Sequence, residues 1–418
     1  MREVKIIFIT IVLTVVFAVI AFFTPNPKFI GACWWNEKYR LDNIVFTIIL
    51  SCDSPEYMRL VIKFPKGYDD NNTRLNRPLY PLLAYPVYLL VRPVIKLPEN
   101  LHQMIIQKMA DIKLKNAWAN IQGTQILAAA ISTIIINIIL ASLAVYFFLK
   151  GLEYGGTGGL KFYFAILIYF SFIFKNFVLI PHTLMFDLLI PAVLFFISMK
   201  SLNTNKKREK LTLIFIGAFI MGLLFLGKGL WYSALVIMWL SIQNRHFKDI
   251  LISILLLLLP TILYIAILYI SNIPYYNYEI TRHREGVWMF DSFKSAGFIS
   301  TLSLFINNMQ KLLVMTINTF RYELIFIIIL LILNIKNKYF PKLINRKEIY
   351  FCTVYFFSWF CFWLWVGYFE PRNLYTLYPV IILILSKFVI RLSFIKKSLF
   401  FLSIYIIQFT STYFLFLN

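Results

Sequence analysis

Apolar runs long enough to cross a bilayer recur from one end of the chain to the other. They lie near 4–24, 119–149, 161–175, 180–199, 211–226, 229–242, 249–272, 323–336, 349–367, 374–390 and 398–417. About 20 apolar residues in a helix cover a hydrocarbon core. In lipid the backbone is satisfied only by helices or closed barrels, and the runs are continuous rather than alternating, which selects helices. The pattern predicts an all-α polytopic membrane protein with about 11 transmembrane helices. The second run exceeds one crossing and projects or tilts. The first, Ile6 to Phe23, lacks an A-x-A-like cleavage site and is followed by further spans, so it reads as a retained helix rather than a signal peptide.

Two long stretches break the apolar rhythm, 25–118 and 273–322. Within the first, Leu79 to Ile95 is apolar but carries Pro81, Pro86 and Pro93, with Arg92 and Lys96 at its end. Those prolines predict helices lying at, or dipping into, a membrane interface rather than a span. No internal repeat or separate soluble domain is visible, so residues 1–418 read as one integral membrane domain. GGTGG (155–159) lacks the Lys and helix context of a phosphate loop and reads as a short inner turn.

Charge orients the spans. The net charge of +22 does not point to nucleic acid, because the basic residues gather in short loops between spans. KSLNTNKKREK (200–210), QNRHFK (243–248), NIKNKYFPKLINRKE (334–348) and SKFVIRLSFIKKS (386–398) all fall on one side. The positive-inside rule makes that side cytoplasmic and puts the N-terminus inside. Segments 25–118 and 273–322 then face outward. Of the four Cys, Cys33 and Cys52 fall on the outer side, where a disulfide is permitted, and no metal-ligand spacing is present.

Polar residues next to so much oil carry information, since a charge at mid-bilayer costs about 2.5–3.5 kcal/mol on insertion scales. Asp53 and Glu56 (in CDSPEY), His182, Lys228, Arg282, His283, Arg284, Arg321, Glu370 and Arg372 all collect at the outer face. Simpler roles exist for each. Asp53 before Ser-Pro suits a helix N-cap; Asp69 and Asp70 lie in turn-like composition; Lys228 can snorkel to headgroups; Asp187, inside a span, can pair with a neighbour. Carboxylates beside cations at an outer membrane face also suit sugar transfer from a lipid-phosphate carrier. The acceptor hydroxyl needs a general base, and the departing phosphate needs positive charge.

Four segments, in order, resemble the GT-C superfamily of integral membrane glycosyltransferases, in particular the bacterial branch related to aminoarabinose and protein-mannosyl transferases. They are CDSPEY in the first outer loop, NRPLYPLLAYP that closes it, GLLFLGKGLWYSALVIMWL (222–240) and EPRNLYTLYPVIIL (370–383). The resemblance implies a GT-C-like fold and an inverting transfer from a polyprenyl-phosphate-linked sugar to a glycan, lipid or protein acceptor. It implies an active site facing outward from the bacterial cytoplasmic (inner) membrane. It places Asp53, with Glu56 nearby, at the loop's catalytic acidic position, and Arg77, Lys228 and Arg372 at basic positions near the donor's lipid phosphate, with His182 on the same side. The acidic motif departs from the family's adjacent Asp-Glu pair, so Asp53 and Glu56 both stay candidates for the base.

Two other classes compete: a transporter or flippase of lipid-linked or anionic sugars, and a polysaccharide polymerase or ligase of another fold. A transporter of the repeat type shows paired broken helices near mid-bilayer, and no such symmetry is visible in the sequence. Metal use stays open: Asp53 and Glu56 can contribute to a divalent-cation site, but no further ligand set is evident.

Overall fold

The computed structural model describes residues 2–24, 39–40, 47–48, 54–65, 77–95, 121–228, 246–273, 287–336, 346–367, 369 and 371–415. These residues are mostly helical, with one short antiparallel ladder that pairs Tyr39 with Ile48 and Arg40 with Thr47. Among them, 6 helices are long and apolar enough to cross a membrane, or up to 7 if one bent pair counts as a span.

The longest apolar runs became single helices: α1 (Arg2–Phe23), α4 (Gly123–Tyr154), α7 (Phe186–Asn203, preceded by a 3₁₀ turn Thr183–Met185), α8 (Lys207–Lys228), α9 (Phe247–Ile270) and α12 (Arg346–Val366). The segment between α1 and α4 contributes α2 (Ser54–Ile62) and α3 (Leu79–Val91). The expected apolar stretch Leu79–Ile95 is largely the helix α3, whose Tyr80, Pro81, Ala84 and Tyr88 are buried and which packs along α4.

Several expected spans differ. The run 161–175 is two short helices, α5 (Lys161–Tyr169) and α6 (Phe172–Phe177). The break falls at Ser171, whose hydroxyl accepts from the Phe174 amide at 3.4 Å; a short hydroxyl side chain competes with the helical ladder and caps the next helix instead. Residues 287–336 form α10 (Val287–Thr319) and α11 (Arg321–Lys336), bent by 78° at their junction. The late run begins with α13 (Pro371–Leu374) and a 3₁₀ turn (Tyr375–Leu377), so its helix α14 (Tyr378–Val389) has 12 residues. Twelve residues rise about 18 Å, short of a full crossing. The last run is α15 (Phe394–Phe409), which continues as π-helix through Thr410–Leu415. The expected span 229–242 lies outside the described residues.

The core centres on α4, which packs against α7, α3, α1 and α2. Its Ala128, Ala129 and Ala130 are fully buried, and small side chains let neighbouring backbones approach. Ser132 and Thr133 return their hydroxyls to carbonyls one turn back, Ala128 at 2.6 Å and Ala129 at 2.9 Å, as polar groups in an apolar interior must. At the C-terminal end of α4 the expected 155–159 turn is tied by Lys387, which donates to the Gly155 carbonyl at 2.7 Å. Lys150 bonds Glu3 at 2.8 Å beside it.

Candidate functional site

The site is built where α7 starts. The turn before α7 is fixed from α4: Asn137 Nδ2 donates to the Ile180 carbonyl at 2.6 Å. His182, 2% exposed, follows. Against it stands Tyr57 of α2, the residue after Glu56 and wholly buried. The Tyr57 ring meets the His182 ring edge-on, centroids 5.5 Å apart, and the Tyr80 ring at 5.4 Å. Arg77 Nη1 donates to the Tyr57 hydroxyl at 3.2 Å, and the same oxygen lies 3.3 Å from Thr183 Oγ1. Behind it, the Tyr80 hydroxyl donates to the Thr133 carbonyl at 3.2 Å. Burial pushes the Tyr80 phenol far above its ordinary value, so it stays neutral and serves as a hydrogen-bonding post.

Asp187 lies one turn beyond Thr183, in the first turn of α7. Its Oδ2 is 3.1 Å from Lys228 Nζ, the last residue of α8, with the side chains 1% and 10% exposed. Both charges suit their helix ends: an anion at the start of α7 and a cation at the end of α8. Gly227 makes the approach possible. A Cβ there would fall 2.6 Å from Phe186 Cε1, so Gly227-Lys228 can close face to face on Phe186-Asp187.

Below this pair a small crevice of about 10 Å³ lies between α7 and α12, lined by Ile190, Pro191 and Leu194 on one wall and Tyr355, Trp359 and Trp363 on the other. Pro191 has no amide hydrogen to give the Asp187 carbonyl one turn earlier. Tyr355, Trp359 and Trp363 recur every four residues, so α12 presents them as one stripe. The stripe grips Thr376. Tyr355 donates to its carbonyl at 2.6 Å, and the Trp359 and Trp363 indoles donate to its hydroxyl at 2.9 and 3.4 Å. Thr376 Oγ1 in turn donates to the Asn373 carbonyl at 2.8 Å. This holds the backbone that carries Arg372, in α13.

The structure therefore brings Arg77, His182 and Lys228 to one end of α7, with Arg372's segment across the crevice. Glu56 is half-buried in the first turn of α2. Asp53, Arg282, His283, Arg284 and Glu370 lie outside the described residues. Arg321 is half-buried at the start of α11, its guanidinium 4.7 Å from the Tyr322 ring centroid. Tyr57, Thr183 and Thr376 were missed as members; nothing in their spacing marks them. Two signals were available. The Tyr-Trp-Trp stripe is visible in α12's sequence. Lys175, a lone cation in an apolar run, is 4% exposed, with its ammonium 5.8 Å from the Tyr413 ring centroid. Among the described residues there is no group of three or more His, Cys, Asp and Glu placed to hold a metal ion. Comparisons with family models, with curated proteins and with solved structures find no match to this chain.

Proposed function

We propose that this protein is a membrane glycosyltransferase that takes a sugar from a polyprenyl-phosphate carrier at the outer membrane face. One observation carries the reading. Arg77, His182 and Lys228, far apart in sequence, converge at the start of α7 beside an aromatic-walled crevice. The cations suit a phosphate, and the aromatic stripe of α12 supplies an apolar surface nearby. In this reading Arg77 and Lys228 bind the departing phosphate, and Arg372 is a third cation for it. A carboxylate of the CDSPEY stretch, Asp53 or Glu56, takes the acceptor's hydroxyl proton as the new bond forms. The charge developing on the phosphate is met by groups already in place, and preorganised charge is the largest usual term in such catalysis.

The test is binding followed by turnover. Purified protein in vesicles is titrated with undecaprenyl phosphate and then offered a panel of radiolabelled undecaprenyl-phosphate sugars. Saturable binding, with sugar released from the carrier or passed to an acceptor, supports the reading. No binding of undecaprenyl phosphate ends it.

A flippase of lipid-linked sugars is the second reading, favoured by the broken α5–α6 segment, because discontinuous helices line the sites of many transporters. It predicts movement of intact lipid-linked sugar between leaflets with no cleavage.

A further inference from the structure

The helix α10 (Val287–Thr319) is not a uniform rod. At Gly297 the backbone takes φ 79° and ψ 179°, outside the helical region. The chain folds sharply there: Thr301 Oγ1 comes within 3.3 Å of Ser292 Oγ, nine residues back. In a straight helix nine residues span about 13 Å. The longer arm, 298–319, is about 33 Å long at 1.5 Å per residue and ends at the 78° bend into α11. α11 packs on α14 and α15, and the arm turns away from it by 78°.

The arm has three faces. One packs on the protein through Phe305, Asn308, Leu312 and Met315. The second is apolar and exposed: Phe298 67%, Ile299 83%, Leu302 47%, Ile306 43%, Leu313 40% and Ile317 56%. At about 100° per residue these six fall within roughly one third of the helix circumference. The third is exposed and mostly polar, with Ser300, Ser303, Asn307, Gln310, Lys311 and Asn318 around one apolar residue, Val314 (56%).

That third face separates the arm from the spans. Along α9 the exposed residues between Ile250 and Ile270 are Leu251, Leu255, Leu259, Ile262 and similar apolar side chains. A crossing helix cannot hold Asn307, Gln310 and Lys311 against hydrocarbon at its middle, because polar and charged groups there are costly. Placed in the plane of the outer interface, the same helix buries its apolar face among acyl chains and keeps its polar edge in water. Lys311 on that edge then meets lipid phosphates.

We propose that residues 298–319 form an in-plane helix adsorbed on the outer leaflet, and that its partner is the lipid interface. The bent pair therefore contributes one crossing helix, α11, and one surface helix. This placement is independent of the glycosyl-transfer reading. It also has a consequence for the site. The short arm begins with Trp288, whose indole donates to the Trp365 carbonyl at 3.2 Å. The long arm ends at Phe320, whose ring lies 5.3 Å from that of Tyr375. The surface hairpin thus holds both sides of the segment bearing Arg372, and ties that segment to the level of the headgroups.

The test is membrane depth along the arm. On a background with Cys33, Cys52, Cys352 and Cys361 replaced by Ala, single cysteines at Ile299, Ile306 and Ile317, and at Ser303, Asn307 and Asn318, carry a nitroxide label. The protein is reconstituted in phosphatidylethanolamine–phosphatidylglycerol vesicles, and relaxation by oxygen is compared with relaxation by a water-soluble nickel chelate. All six positions are surface-exposed, so folding tolerates them, and circular dichroism confirms it. The expected result is one shallow depth at 299, 306 and 317, with 303, 307 and 318 in water. A depth that changes steadily from 299 to 317 overturns the proposal in favour of a crossing helix. Strong spin–spin coupling between copies overturns it in favour of a dimer interface, and nickel access at all six positions overturns it in favour of a helix free in water.

Discussion

The ammonium of Lys228 lies 3.1 Å from the carboxylate of Asp187, and both are almost wholly enclosed. This pair joins the end of α8 to the start of α7, so it has a structural and a chemical consequence that different variants separate. Removing one partner of a buried pair strands the other charge at a cost of about 3–5 kcal/mol, whereas replacing both with neutral groups of like shape is often close to neutral. Asp187→Asn and Lys228→Met alone should each lower the thermal unfolding temperature in detergent. The double variant should recover most of that loss. It should still bind undecaprenyl phosphate at least tenfold more weakly than the parent chain. Full binding by the stable double variant would make the pair a fastener and nothing more.

Tyr57 supplies a second separation. Its hydroxyl accepts from Arg77 and lies beside Thr183, so Tyr57→Phe releases the guanidinium without changing the ring that packs on His182 and Tyr80. A net hydrogen bond to a charged group contributes about 1.5–3 kcal/mol. If Tyr57 acts by holding Arg77, the Phe variant should weaken undecaprenyl phosphate binding about tenfold or more. The loss should vanish when Arg77 is already Met, and equal losses in both backgrounds would mean that Tyr57 acts by another route.

How much of this was readable beforehand depends on the length scale. Helicity was legible because runs such as Ile250–Ile270 are apolar all round, and lipid leaves a chain no other local choice. The break at Ser171 was not, because one serine in an apolar run is ordinary until its hydroxyl is seen to cap Phe174. The charge gathered near the start of α7 was legible for His182 and Lys228, since a polar residue beside a span stands out. Asp187 was noticed but had no partner, because its meeting with Lys228 depends on Gly227 yielding to Phe186, a relation between distant segments. Thr376 was invisible for the same reason: its role comes from two indoles on α12.

Thr376 is also the easiest of these to test. Both indole donors, from Trp359 and Trp363, converge on its hydroxyl. Thr376→Val keeps the shape and leaves those donors buried without an acceptor, a cost of about 1–3 kcal/mol for such a group. Thermal unfolding followed by tryptophan fluorescence should fall by several degrees, and Thr376→Ser should restore most of the loss. Equal destabilisation by Ser and Val would mean that the methyl, not the hydroxyl, holds the 371–377 segment.

Orientation underlies every functional statement above. Asn205, in the inner loop between α7 and α8, and Asn272, just past the outer end of α9, lie on opposite sides in the proposed topology. In a cysteine-free background, Cys at Asn272 should react with a membrane-impermeant maleimide in intact cells, and Cys at Asn205 only after permeabilisation. The reverse pattern would place Lys228 and His182 at the cytoplasmic face and remove the outward-facing site.

The remaining prediction concerns the two carboxylates of CDSPEY. Glu56 is half-buried in the first turn of α2, directly before Tyr57. Asp53 lies three residues earlier and outside the described residues. A helix cap and a general base make different demands on Asp53. Asn keeps the size and the capping oxygen but loses the basicity. Asp53→Asn should therefore leave folding and undecaprenyl phosphate binding intact while slowing sugar transfer about a hundredfold or more, as loss of a general base does. Glu56→Gln should be milder. Should Glu56→Gln abolish transfer while Asp53→Asn leaves it normal, the base is Glu56. The half-buried setting of Glu56 beside Tyr57, and through it Arg77, would then be the catalytic geometry. Normal transfer by both variants would show that CDSPEY does no chemistry, and the convergence at α7 would then have to serve binding or transport alone.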